Sequence, residues 1–252
     1  QMAARTRRVI QRRQFDVNRK AGIRKIFVLS RVTIGADVAV TSIVLQRLKQ
    51  EFPLAEIIFI APEKQAQLFS EDSGVTVLPL PYSRKGDFVE RIVSWLKLVD
   101  LITQNVSGLS IDEYLIVDPD SRLTQLGIMP LPVAEENYIF FNSSVREEEL
   151  ESGKVLSIAE ATNRWLNEVF GDRDTVIYPR VWINAKDRAF AERVFAHQVL
   201  ALRNKPVVVI NLGVGGNENK RLGAEFETRL VSELVAQGVI VILDKGFGRQ
   251  EE

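Results

Sequence analysis

The sequence predicts an α/β protein built on a Rossmann-like parallel sheet, and three observations carry that expectation. Short β-branched and aromatic runs such as Lys25-Ile-Phe-Val-Leu29 and Glu56-Ile-Ile-Phe-Ile-Ala61 have the continuous apolar character of strands buried on both faces. They alternate with amphipathic stretches long enough to be crossover helices, which implies a parallel sheet covered on both sides. The strand–loop–helix–strand layout that starts at Lys25 starts again at Pro206, so one complete unit is followed by the opening of a second.

Taken in order, Gln1 to Lys20 carries seven basic residues: Arg5, Arg7, Arg8, Arg12, Arg13, Arg19 and Lys20. Such a run is read first as a solvated leader or surface arm, and second as a patch drawn to anionic lipid headgroups or a phosphate-rich acceptor. Strand Lys25–Leu29 leads through the loop Ser30–Ala36 into a helix from Asp37 to Glu51, where Val40, Val44, Leu45 and Leu48 recur at helical spacing and Phe52-Pro53 ends it. Strands follow at Glu56–Ala61 and Val75–Leu78. Pro62 suits the first turn of a helix between them. Asp87–Gln104 predicts a longer helix with Phe88, Ile92, Trp95, Leu96 and Val99 on one face. Strands at Glu113–Val117 and Tyr138–Phe141 come next, then helices at Ser157–Phe170 and Ala185–Arg203. The second unit reads as strand Pro206–Asn211, a glycine-rich loop Leu212–Arg221, helix Ala224–Gln237 and strand Val239–Leu243. The expected domains are a basic leader over 1–22, a first Rossmann-like domain over 23–184, and a connector helix with the start of a second domain over 185–252. Two strands and one helix cannot bury both sheet faces, so the sequence is expected to be truncated or to depend on a missing segment.

Composition narrows the chemistry. Lys+Arg and Asp+Glu balance at 33 each, which gives no overall basic field for nucleic acid. The absence of cysteine excludes disulfides and thiolate metal sites, and the single histidine, His197, removes most histidine-based chemistry. Acid–base work therefore falls to carboxylates, lysines or tyrosines. No apolar run is long enough to span a bilayer and no signal peptide is recognisable, so a cytoplasmic location is expected.

Ligands of open parallel sheets bind beyond the carboxyl ends of the strands. Four loops qualify: Ser30–Ala36, Asp118–Arg122, Leu212–Arg221 and Asp244–Gln250. With Gly35 alone, the first lacks the dinucleotide fingerprint. Asp37, at the expected helix start, reads as an N-cap, as a carboxylate placed to take a proton from an acceptor hydroxyl, or as both. In the third loop Gly213, Gly215 and Gly216 let backbone approach a ligand, and Lys220 and Arg221 bring positive charge before a helix N-terminus, a combination suited to a diphosphate. The bland alternative is a flexible connection. Asp118, Asp120 and Arg122 offer paired carboxylates and an arginine fork for a sugar, or serve as plain turn formers.

These residues resemble a known family. Ile34-Gly-Ala-Asp-Val-Ala-Val-Thr-Ser42, then Leu45–Pro53 and Ala55–Ile60, resemble the N-terminal signature of the heptosyltransferases, glycosyltransferase family 9. Val208–Gly213 with Asn219-Lys-Arg-Leu222, and Val241–Gly248 with Glu251, resemble later family segments in the same order. Ala36 stands between Gly35 and Asp37 where the family motif runs Gly-Asp, and Leu222-Gly223 replaces the usual Trp-Pro. The stretch Asp118–Gly127 also departs from the common pattern, and the family's later Gly-Thr/Asp-Thr-Gly…His segment has no counterpart before Glu252.

The resemblance implies a GT-B architecture, with an acceptor-side domain and a nucleotide-sugar domain facing a cleft. It implies inverting transfer of a sugar from an ADP-heptose-like donor to a hydroxyl of a saccharide or lipopolysaccharide-type glycolipid acceptor. No metal and no cofactor are expected, the nucleotide sugar being a substrate. By the same resemblance Asp37 is the general base and Lys220 sits near the donor phosphates, with Arg221, Gly213, Gly215 and Gly216 around them. Thr41, Asp118, Asp120 and Arg122 are the candidate acceptor-binding residues. Peripheral contact with the inner membrane is a further expectation. Competing readings are a non-catalytic nucleotide-sugar or phosphate binder, an inactive relative, or another sugar-nucleotide enzyme such as an epimerase.

Overall fold

Five apolar runs form the strands of one sheet: β1 (Lys25–Leu29), β2 (Glu56–Ala61), β3 (Thr76–Pro79), β4 (Tyr114–Asp118) and β5 (Tyr138–Phe140). The computed structural model describes residues 14–69, 71–83, 86–143, 156–196, 205–213 and 221–244. Every pairing is parallel and the spatial order is β3-β2-β1-β4-β5. Strands β1 and β2 have the bounds expected from sequence, whereas β3 and β4 lie one residue later. Pro79 is accommodated because β3 is an edge strand, where a missing N–H leaves no ladder bond broken.

Alternating side chains make two cores. Ile26, Val28, Ile57, Phe59, Leu115 and Val117 face one side and pack with α1 (residues 34–51) and with α4 (Ile158–Phe170). The helix α1 runs Ile34–Ala36, passes through a π turn at Asp37–Thr41 and continues as Ser42–Glu51. Val40, Val44, Leu45 and Leu48 are all buried, as their spacing predicts. Phe27, Leu29, Ile58, Ile60 and Ile116 face the other side, against Leu98 and Ile102 of α3 (Phe88–Asn105). A short helix α2 (Glu63–Ala66) follows β2 behind Pro62. Ser157 and Glu160 close a capping box at the start of α4.

Two features differ from the sequence reading. In α3 the buried face is Ser94, Leu98 and Ile102, while Phe88 and Leu96 are 73% and 48% exposed. The helix carries more than one apolar stripe, and only contact with the sheet selects which is covered. Phe15, placed with the leader, belongs to the first core: it packs on Phe52 and Phe170, and its N–H donates to the Val169 carbonyl at 2.8 Å. A 3-10 turn at Val17–Gly22 then leads into β1.

The chain divides into two compact units, Gln1–Asn184 and Ala185–Glu252. The second contains α5 (Ala185–Val194), β6 (Val207–Asn211), α6 (Ala224–Ala236) and β7 (Ile240–Asp244). Strands β6 and β7 pair in parallel, Val207 opposite Ile240. Val209 and Leu243 of this two-stranded sheet are exposed. The remainder of the helix expected to Arg203, with His197, lies outside the described residues from 197 onward. Among the described residues no helix is long and apolar enough to cross a membrane.

Candidate functional site

From β1 the chain builds outward through β2 to β3, then returns to place β4 and β5 on the other side. The loops after β1 and β4 therefore part at a topological switch point, where open α/β sheets form their ligand crevice. The four described non-glycine residues with left-handed φ all lie in these two loops: Val32 (56°), Asp120 (65°), Gln125 (50°) and Leu126 (60°). A β-branched valine there is sterically opposed, and each such residue costs about 1–3 kcal/mol. The surrounding structure over-determines a strained backbone at this mouth. At Gly127 (φ 81°) a side chain would meet the Phe140 ring at 2.8 Å, so the turn also requires glycine there.

Asp37 is the central group. The sequence placed it at the helix start as an N-cap, but the helix begins at Ile34 behind Thr33, and Asp37 opens the π turn instead. There the Ser42 N–H donates to the Asp37 carbonyl five residues back, the wider closure that defines a π turn and recurs at functional sites. The Asp37 carboxylate points inward to the β1 end. Its Oδ2 accepts from Ser30 Oγ at 2.6 Å; its Oδ1 accepts from the Arg31 N–H and from Thr41 Oγ1, both at 2.8 Å. Asp37 and Thr41 are fully buried. Burial raises the proton affinity of Asp37 above that of an ordinary carboxylate, against the three hydrogen bonds and the charge of Arg31, which oppose it. Thr41, a candidate acceptor residue, thus serves as a partner of Asp37.

Of the two readings of the loop after β4, its hydrogen bonds match the turn-forming one. Asp118 is buried at the end of β4 and accepts from Tyr138 Oη (2.6 Å), Thr124 Oγ1 (2.5 Å) and the Ser121 N–H (2.6 Å). With these bonds made and no exposed face, it organises the loop rather than presenting an oxygen to a sugar. Burial pushes its carboxyl up to about 6, with the charge of Asp120 acting in the same direction and the hydrogen bonds acting against it. Asp120 pairs with Arg31 (Nη2 to Oδ2, 3.3 Å) and accepts from Ser143 Oγ. Arg122 is exposed and makes no ion pair with either aspartate, so the arginine partner of Asp120 is Arg31, from the other loop.

Sequence reasoning missed the groups that join the two loops. Ser121 Oγ donates to the Ser30 carbonyl, while Ser30 Oγ donates to Asp37. The signal available was positional: Ser30 and Arg31 are the first residues past β1, where a polar side chain turns into the crevice. Of the donor-side candidates, Gly213 is exposed and its N–H donates to Asn211 Oδ1 at 2.8 Å, and Arg221 is exposed ahead of α6. Gly215, Gly216 and Lys220 lie outside the described residues. Among the described residues no three His, Cys, Asp or Glu side chains gather closely enough to hold a metal ion.

No protein-family model matches the chain, and no curated protein matches it in sequence. Solved structures do. A crystal structure of a glycosyl transferase family 9 protein from Veillonella parvula superposes with a TM-score of 0.63 at 15% identity, covering 92% of this chain and 64% of that one. The E. coli heptosyltransferase WaaC, solved with ADP-2-deoxy-2-fluoro heptose, gives a TM-score of 0.49 at 16% identity, over 90% of this chain and 70% of its own. This chain therefore spans just under two thirds of the length of the Veillonella protein. Its fold, an α/β fold with a five-stranded parallel sheet, is the one found in glycosyl transferase family 9.

Proposed function

We propose that this chain carries the acceptor-side unit, and the beginning of the donor-side unit, of an inverting glycosyltransferase that uses a nucleotide sugar. The observation that carries the reading is Asp37. Within a fold shared with glycosyl transferase family 9, it is a buried carboxylate of raised proton affinity at the sheet's switch point, hydrogen-bonded to the strained loop after β1. In the proposed reaction the acceptor hydroxyl gives its proton to Asp37 as its oxygen bonds to the anomeric carbon from the face opposite the leaving group. The bond from that carbon to the nucleoside diphosphate breaks, and the diphosphate leaves with the electron pair. Lys220, Arg221 and the amides of Gly213, Gly215 and Gly216 would stabilise the departing charge. A donor of ADP-heptose type and a saccharide or glycolipid acceptor follow from the sequence resemblance, as does work at the cytoplasmic face of the inner membrane.

The complete enclosure of Asp37 favours a second reading, in which the carboxylate only locks the loop and the protein binds a nucleotide sugar without transferring it. Asp37→Asn separates the two. A base contributes about 10²–10⁴-fold to rate, so the variant should lose transfer by that factor and keep donor affinity, measured calorimetrically with ADP-, GDP- and UDP-sugars. Undiminished transfer by a folded Asp37→Asn protein would sink the base; donor binding without transfer in the unmodified protein would select the second reading.

A further inference from the structure

Arg31 links the two halves of the crevice in two ways at once. Its backbone N–H donates to Asp37 Oδ1 at 2.8 Å, and its guanidinium Nη2 reaches Ser143 Oγ at 2.9 Å and Asp120 Oδ2 at 3.3 Å. The side chains of Arg31 and Asp120 are only 18% and 10% exposed, so this pair is more weakly screened than a surface ion pair. The next residue, Val32, is held in a left-handed conformation that valine resists, so the peptide N–H aimed at Asp37 needs an external anchor. From these contacts we infer that Arg31 is a positioning residue for Asp37: anchored on Asp120 and Ser143, it keeps its own N–H on the carboxylate and sets a positive charge beside it.

Other described cations near the π turn have contacts of their own: Arg180, whose N–H donates to Ser42 Oγ at 3.0 Å, lies over the Trp182 ring at 5.4 Å. Arg47 of α1 is committed to Glu51, Asn167 and the Gly171 carbonyl. On α4, Glu160, Arg164 and Glu168 line a groove together with Asp172 and Val176. From the β4 side come Asp118, held by its own three donors, and Asp120, neutralised by Arg31. The charge of Arg31 acts on Asp37 in the same direction as the hydrogen bonds from Ser30, the Arg31 N–H and Thr41. The catalytic consequence rests on the reading of Asp37 as a base; the coupling between the two residues does not.

The test is a carbon-13 NMR titration of the Asp37 carboxyl in the whole chain, assigned with Asp37→Asn. The Arg31 guanidinium is seated on Asp120 and Ser143, and from there its charge acts on the Asp37 carboxyl in the lowering direction. Arg31→Ala should therefore raise the Asp37 midpoint, and Arg31→Lys, which keeps the charge, should bring it back towards that of the unmodified protein. If Arg31→Ala does not fold, Arg31→Gln against Arg31→Lys reads the same difference. Equal midpoints in a charged and an uncharged folded variant overturn the inference. The anchor is tested separately: Asp120→Asn should speed hydrogen exchange at the Arg31 N–H about tenfold or more, and unchanged exchange overturns the anchoring. Should the protein transfer sugar, the acidic limb of kcat/KM must move with the Asp37 midpoint, and a fixed limb overturns the positioning role. An NMR shift in a protein without transfer supports the Arg31–Asp37 coupling, which does not depend on the glycosyltransferase reading.

Discussion

At the scale of single residues, the crevice is governed by two carboxylates that burial drives in the same direction. Asp37 and Asp118 both end fully enclosed, each with three hydrogen-bond donors, and for each the loss of water outweighs those bonds. For Asp118 the effect on stability has a definite sign. Its folded-state value of about 6 lies above the ordinary 3.8, so the fold prefers the protonated carboxyl. That stability is fully present below the ordinary value and is lost as pH rises through 6. A gap of about two units corresponds to roughly 3 kcal/mol in total, of which about 2 kcal/mol falls between pH 4 and pH 7. Asp118→Asn cannot ionise, so urea unfolding at those two pH values should show the unmodified protein losing about 2 kcal/mol relative to the variant. Parallel pH dependences for the two proteins would contradict the burial argument.

At the scale of elements, the ends of α1 do different work. Its beginning is widened by the π turn, which brings Asp37, Thr41 and the β1 loop together. Its end carries Glu51, which joins three segments: it accepts from Lys20 of the 3-10 turn and from Arg173 beyond α4 (2.8 Å), and it forms an ion pair with Arg47 one turn earlier (2.8 Å). Burial alone would raise the Glu51 carboxyl; the hydrogen bonds from Lys20 and Arg173 and the nearby positive charges hold it below the ordinary range. Its stabilisation is therefore present above the ordinary value of 4.5 and is lost as pH falls through the depressed folded value. Glu51→Gln removes the carboxylate paired with the buried Arg47 guanidinium. Breaking such a pair on one side costs about 3–5 kcal/mol, read as a lower urea midpoint at pH 7. A loss under about 1 kcal/mol would mean the pairs behave like exposed ones.

At the scale of the whole molecule, the two units differ in how completely they bury themselves. The first has a five-stranded sheet with a core on each face, and every group linked to Asp37 belongs to it. The described helices of the second contain no buried residue, and its two strands keep Val209 and Leu243 exposed. A two-stranded sheet is marginal by itself. Residues 1–184 alone should accordingly unfold in one cooperative thermal transition and keep the Asp37 carboxyl midpoint of the whole chain. A non-cooperative melt of that fragment, or a shifted midpoint, would show that the first unit depends on the second.

The sequence by itself determined the elements and their order. Continuous apolar runs mark the strands, the stretches between them have crossover length, and residues such as Ser157, Glu160 and Pro62 mark helix starts by local chemistry. It also singled out Asp37, because the first βα loop of such a sheet is where ligands are met. What it could not determine were relations between residues far apart in the chain. Arg31 meets Asp120 and Ser143 at separations of 89 and 112 residues, and Ser121 meets Ser30 at 91. Nothing local distinguishes Asp118 as a buried organiser from Asp120 as an ion-pair partner, since both occupy a turn-like Asp-Pro-Asp-Ser stretch. Which stripe of α3 is covered, and whether Asp37 caps a helix or is enclosed within a π turn, depend on how the helices dock on the sheet. Local propensity and spacing fix elements; the free energy that chooses partners for charges comes from burial, and burial exists only once the chain has closed on itself.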